Sequence, residues 1–157
     1  MMAIIPNVKQ AGQIKEAVMD IKVTLKPLKE EIESIYAGLS EFNCAYFSDL
    51  SEQSIACFIR DEDNKIVGGL TALILLESLH VNYLWLAEFI RGEGLGKQLI
   101  NRIEAEARLR GLKNLFLDTY TFQAPRFYER LGFVEVGRFR DYPKKDVDKI
   151  FYRKQIA

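Results

Sequence analysis

The sequence predicts an α+β sandwich: a mixed, mostly antiparallel central sheet of about seven strands, flanked by helices. Three observations point there. Short apolar or alternating runs recur along the chain, as in the buried or half-buried strands of a sheet (Ile21, Val23, Leu25; Ser54–Arg60; Leu79–Leu86). Between them lie stretches with apolar residues three or four apart, such as Leu95, Leu99, Ile103 and Ala107, which place one apolar stripe on a helix. Two of the strand-like runs are joined only by Asp61-Glu62-Asp63-Asn64, a polar turn that suits an antiparallel hairpin.

Taken in order, residues 1–19 read as an arm or a short helix, since Ala11–Met19 has helical composition interrupted by Gly12. Ile21, Val23 and Leu25 alternate with Lys22, Thr24 and Lys26, the pattern of a first half-buried strand. Pro27 suits a helix start, and Leu28, Ile32, Ile35, Tyr36 and Leu39 give the stripe of a first helix with Gly38 near its end. Residues 38–53 read as a loop or short helix covering a cleft. Ser54–Arg60 and Lys65–Leu75 form the hairpin, and Gly68-Gly69 in its second strand signals a bulge or the close approach of another backbone. Leu79–Leu86 is the fourth expected strand, rich in aromatic and aliphatic residues. A glycine-rich turn follows, then the long helix closed by Gly111. Asn114–Thr119 is the next strand, Ala124–Arg130 a short helix stopped before Gly132, and Phe133–Phe139 and Lys149–Arg153 the last two strands, antiparallel through Asp141-Tyr142-Pro143.

A chain of 157 residues is most simply one domain, residues 1–157, able to bury a sizeable core. Lysine plus arginine and aspartate plus glutamate both number 22, so there is no basic excess to suggest nucleic acid. No apolar run reaches membrane-span length and the opening residues lack a leader pattern, so neither a membrane nor secretion is expected and the cytoplasm is the default. Cys44 and Cys57 make no disulfide framework, and a single histidine offers no zinc-ligand spacing, so no metal is expected.

The turn Arg91-Gly92-Glu93-Gly94-Leu95-Gly96-Lys97 is the most informative stretch. A strand turning through glycines into a helix suits phosphate, because the first helical turn has free N–H groups and partial positive charge, and glycine lets an anion approach the main chain. The P-loop and dinucleotide patterns both fail on spacing: residue 91 is Arg where the first needs Gly, and residue 97 is Lys where the second does. What fits is R-x-x-G-x-G, read as Arg91, Gly94 and Gly96. Downstream, Phe127-Tyr128-Glu129-Arg130-Leu131-Gly132-Phe133 looks like the F-Y-E-K-L-G-F segment that follows such a loop in the GNAT N-acetyltransferase superfamily. With both motifs in order, residues 20 to 156 resemble that superfamily. Leu84-Trp85-Leu86 and Phe122-Gln123-Ala124-Pro125 look like a branch of its small bacterial members.

The resemblance implies a splayed sheet and acetyl-CoA as co-substrate, its pyrophosphate held by main-chain N–H groups among Arg91, Gly92, Gly94, Leu95, Gly96 and Lys97, and its pantetheine arm beside Leu86. It also implies that Tyr128 protonates the departing thiolate, a task a phenol of pKa about 10 can do at neutral pH. Seven residues earlier, where many members have Asn against the coenzyme, this chain has Thr121, whose hydroxyl is expected to replace that contact, and Arg126 is expected near the phosphates. Members often carry a base eleven or nine residues before the motif Arg. Here those positions are His80 and Asn82, which share a strand face. His80, with an ordinary pKa of about 6.5, is the expected base, directly or through water, and Glu88 is the runner-up. A covalent intermediate on Cys44 or Cys57 is not expected. The implied activity is transfer of acetyl to a primary amine of a small molecule or peptide by direct attack in a ternary complex. A non-catalytic acyl-CoA sensor or interaction module is the competing reading, and a longer acyl group a minor one. Many relatives pair, so a homodimer is compatible. The acceptor pocket is expected from residues 28–53 and the segment around Asp141-Tyr142.

Overall fold

The structure, a computed structural model, describes residues 20–47 and 51–157. The expected arm over residues 1–19 lies outside them. The chain divides into two compact units, residues 1–50 and 51–157.

In the first unit the expected strand over Ile21–Leu25 does not form: residues 20–24 have no regular structure and residues 25–26 bend toward Pro27. Alternation marks a strand only where a neighbour supplies ladder partners, and no described strand pairs with this segment. Helix α1 then runs Lys29–Asn43. Its start is held by Glu31, whose carboxylate accepts the Leu28 N–H at 2.7 Å. Gly38 does not end it; the helix continues to Asn43, so the first part of the stretch expected as a loop or short helix is helical.

The second unit is a sheet of six strands rather than seven: β1 (Gln53–Arg60), β2 (Ile66–Leu75), β3 (Ser78–Leu86), β4 (Asn114–Tyr120), β5 (Val134–Phe139) and β6 (Lys149–Gln155), in the spatial order β1-β2-β3-β4-β6-β5. All pairs are antiparallel except β3 with β4. That parallel pair needs a crossover, supplied by α2 (Leu95–Leu109). The hairpin turn at 61–64 is as expected: the Asp61 carboxylate accepts the N–H groups of Asp63 and Lys65, and Asn64 takes a positive φ. Gly68 and Gly69 mark close approach, and a bulge sits beside them: the β1–β2 register slips between Ile59, opposite Gly68, and Arg60, opposite Ile66. A Cβ on Gly69 would stand 2.7 Å from the Cys57 carbonyl oxygen, and one on Gly68 2.7 Å from the Leu86 side chain.

The core lies between the sheet and α2. Leu70, Ala72, Leu79, Val81, Leu115 and Leu117 face Leu99, Ile100, Ile103 and Ala107, with Tyr152 and Ile150 of β6 completing it. Burial of side chains this size is worth about 1.5–3 kcal/mol each and fixes α2 on the sheet. Polar ties hold its far end: Glu104 pairs with Arg108 and Lys154, and Arg108 donates to the Ile156 carbonyl. The short helix α3 (Pro125–Arg130) begins on Pro125 and ends before Gly132, which has a φ of +84°.

Candidate active site

Strands β3 and β4 are paired only from Ser78–Val81 with Asn114–Leu117. Beyond Val81 and Leu117 both strands continue, to Leu86 and Tyr120, without pairing to each other. Their separation opens a cavity of about 1130 Å³ lined by residues 81–86 on one side, Leu117, Asp118 and Thr119 on the other, the glycine turn at one end and α3 beside it. The outer neighbours hold the edges of the split: β2 remains paired with Tyr83–Leu86, and β6 with Asp118–Tyr120.

One irregularity sits at the mouth of this split. The β2–β3 register slips between Thr71, opposite Tyr83, and Ala72, opposite Val81, so Asn82 is the extra residue of a β-bulge. Asn82 lines the cavity. Its Oδ1 and the Thr71 Oγ1 are buried with no hydrogen-bond partner among the described residues. A buried acceptor left in that state costs about 1–3 kcal/mol.

The glycine turn follows from Leu86 through a short 3₁₀ turn, Glu88–Ile90. Gly92 and Gly94 have φ of +85° and +76°, and nothing stands within 4 Å of a Cβ built on either, so dihedral freedom rather than space requires glycine. Gly96 differs: it is buried, and a Cβ there would meet the Phe127 ring at 3.3 Å, which sets the distance of α2 from α3. Gly94 is the N-cap of α2, with no side-chain cap and no acid in the first turn. The N-terminal N–H groups of α2 are therefore left for an anion. Arg91, Lys97 and Arg130 are among the residues that line the cavity. Arg91 also has a role that sequence reading missed: its Nε donates to the Leu86 carbonyl at 3.0 Å, tying the turn back to the end of β3. Uncapped N–H groups, an open glycine cradle and the Arg91 and Lys97 cations of the turn fit a diphosphate.

Of the residues expected at the site, the cavity brings together Leu86, Arg91, Gly92, Gly94, Leu95, Gly96, Lys97 and Tyr128. Tyr128 is 9% exposed, edge-on to Phe127 and Phe133, and burial, helped by the Asp118 charge, raises its phenol pKa. Its position depends on Gln123, whose side-chain oxygen accepts both the Thr119 hydroxyl and the Tyr120 N–H at 2.9 Å, locking the β4–α3 turn. No local motif signals that lock, because its partners look like ordinary turn residues.

Four expected residues do not line the cavity. His80 lies flat on Phe116, ring centroids 4.3 Å apart, its pKa lowered by burial and by Lys149 against an opposing pull from Asp118. Thr121 is engaged elsewhere: its hydroxyl accepts the Asp148 N–H at 3.2 Å, and its own N–H donates to the Asp148 carbonyl. Arg126 is exposed on α3, one turn before the cavity-lining Arg130. Glu88, the runner-up base, is exposed on the 3₁₀ turn. Cys57 lies on β1, outside the lining, and burial pushes its thiol pKa up, which disfavours a nucleophile. Asp118 lines the cavity but is paired with Lys149 at 2.9 Å. No cluster of three or more potential metal ligands occurs among the described residues.

A sheet that parts beside a bare helix N-terminus is the frame of an acyl-transfer fold. The model of the Acetyltransferase (GNAT) family matches residues 16–133, from the first unit through the split strands, the glycine turn and α3, and the chain belongs to this family. Among its relatives is an acetyltransferase of Agrobacterium fabrum, 34% identical over 108 residues, covering 69% of this chain and 79% of that one. A second is the blasticidin-S acetyltransferase of Streptomyces morookaense, 39% identical over 89 residues, 56% of this chain and 65% of that one. A crystal structure of an acetyltransferase from Bacillus cereus superposes with a TM-score of 0.77 at 31% identity, covering 85% of this chain and 97% of that one. No described helix is long and apolar enough to cross a membrane.

Proposed function

We propose that this protein transfers the acetyl group of acetyl-CoA to a primary amine, the two substrates being bound together. The observation that carries the reading is the continuous path from the uncapped, glycine-rich N-terminus of α2 into the gap between β3 and β4. The α2 N–H groups and Lys97 hold the pyrophosphate, and the unpaired edge of β3 near Leu86 holds the extended arm as an added strand would. The thioester supplies an activated acetyl carbon: the amine nitrogen forms the new bond, the carbon–sulfur bond breaks, and the sulfur leaves as a thiolate needing a proton.

Tyr128 supplies that proton. Burial raises its pKa, so it stays protonated at neutral pH, and the same desolvation raises the affinity of a thiolate for the proton. A main-chain N–H of β3 beside the gap polarises the thioester carbonyl. His80, kept neutral by burial, takes the proton lost by the amine through intervening water, since its ring does not line the cavity. The acceptor is a small-molecule or peptide amine, a reading supported by the name of the Streptomyces relative, and the enzyme works in the cytoplasm.

Calorimetry with coenzyme A and acetyl-CoA, followed by thiol release against pooled amines, peptides and antibiotics including blasticidin S, tests the reading. Saturable binding and amine-dependent release are expected. Lack of affinity for either coenzyme would overturn it, and binding without release across the panel would favour a non-catalytic sensor.

A further inference from the structure

We propose that the Asp118 carboxylate receives the acceptor as an ammonium ion and holds its reacting nitrogen where the two strands part, an assignment that rests on the acyl-transfer reading above. Asp118 is the first β4 residue past the last β3–β4 pair, Val81 with Leu117. It lines the cavity, and it is the one carboxylate among the described residues that do. The other charged lining residues, Arg91, Lys97 and Arg130, are cations. Arg91 and Lys97 belong to the glycine turn, and β3 runs on from Val81 to Leu86 before that turn begins, roughly 16 Å of strand. Positive charge thus stands at the turn, where the diphosphate binds, and negative charge where the strands separate.

The Asp118 side chain is 31% exposed, so a bound group can reach it. Lys149 sits on its Oδ2 at 2.9 Å, and the Lys149 ammonium is in turn placed over the Tyr120 and Phe151 rings. The second oxygen, Oδ1, takes no hydrogen bond among the described residues. Glu104 shows in this same chain that one carboxylate serves two cations, Arg108 on Oε1 and Lys154 on Oε2. Asp118 and Lys149 together are neutral, so what draws an ammonium is a direct charge-assisted hydrogen bond to Oδ1 and not the field of the pair. The Asp118 charge also acts on the Tyr128 phenol, the assigned acid, and on the His80 ring, the assigned base, so the carboxylate stands near both. An alkylammonium such as that of lysine has a pKa of about 10.4, and a primary amine of that kind arrives protonated at neutral pH. Asp118 takes it in that form. The proton then leaves through water to His80, and the freed lone pair attacks the acetyl carbon.

The test needs no knowledge of the natural acceptor. Two coenzyme A thioethers are compared by calorimetry at neutral pH: one carries –CH2–CH2–NH3+ on sulfur, and the other the neutral –CH2–CH2–CH3 of similar size. The wild type is expected to bind the ammonium compound about tenfold more tightly, as one hydrogen bond between charged groups gives. The double variant Asp118→Asn with Lys149→Gln keeps the net charge of the pair, so a preference due to the field alone would survive in it. It is expected to erase the preference while leaving coenzyme A affinity within about twofold, and Asp118→Asn alone carries the test should the double variant not fold. A wild type that does not prefer the ammonium compound, variants that keep the preference, or variants that lose coenzyme A affinity in parallel would each overturn the assignment. Failure of the wild type to bind coenzyme A at all would instead bring down the functional reading beneath it.

Discussion

Replacing Gly94 by alanine isolates what the glycine turn contributes. The residue caps α2 with φ +76° and ψ 2°, and an added Cβ would touch nothing within 4 Å, so the perturbation is conformational and not steric. Holding a residue with a Cβ in the left-handed region costs about 1–2 kcal/mol. That cost can appear in two places. If the turn keeps its shape, the folded state bears it, and for a chain of this length Tm falls by about 2–4 °C per kcal/mol. If the free turn relaxes, coenzyme binding must restore the dihedral, and Kd for acetyl-CoA rises about 5- to 30-fold. Thermal melts and calorimetry on the same variant should return losses that sum to about 1–2 kcal/mol. Gly111 is the control: φ is +71°, its Cβ would also meet open space, and it lies past the far end of α2. Gly111→Ala should place the whole penalty in Tm and leave Kd unmoved. A Gly94→Ala variant whose two losses together fall below about 0.5 kcal/mol would refute the claim that the left-handed turn is needed.

Tyr128→Phe should lower kcat by about 10²–10⁴ while Kd for acetyl-CoA moves less than threefold, and the burial-raised pKa should keep the wild-type alkaline limb above about pH 10; full activity in the variant would remove the assigned acid. Arg91→Ala removes the tether to the Leu86 carbonyl and should weaken acetyl-CoA about 2- to 10-fold by calorimetry. Stability should depend on pH at both ends of the scale. Burial alone would raise the Glu104 carboxyl pKa, but hydrogen bonds from Lys154 and Arg108 outweigh it and hold it low. Its contribution is present above the ordinary carboxylate range and is lost as pH falls through the lowered value, so Glu104→Gln should flatten the acid limb of a denaturation profile. The Tyr152 phenol is pushed up to about 12 by burial and by its bond to Glu129. That contribution is intact below about pH 10 and fades as pH climbs toward 12, and Tyr152→Phe should remove the alkaline slope.

Much of the site was legible because its signals are local. A glycine turn before an amphipathic helix needs only a dozen neighbouring residues to declare itself, and Gly92, Gly94 and the free N-terminus of α2 stand where that pattern puts them. The 61–64 hairpin and α3, bounded by Pro125 and Gly132, were readable for the same reason: backbone limits at Gly, Pro and Asn act within a few residues. The segment over residues 21–25 was not, because five alternating residues describe a strand only if another strand lies beside them.

What only the tertiary structure decided are relations between residues far apart in the chain. No local pattern announces that β3 and β4 part after Val81 and Leu117, or that the β2 register slips so as to eject Asn82. Nor does any local pattern stack His80 on Phe116 and bind Thr121 to Asp148, while Arg130 rather than Arg126 faces the cavity. The amino-acid sequence alone determined the elements and the anion-ready turn, since dihedral preference and helical period are short-range. The gap that makes those elements a site arises from strand pairing and core packing, which bring together segments more than thirty residues apart.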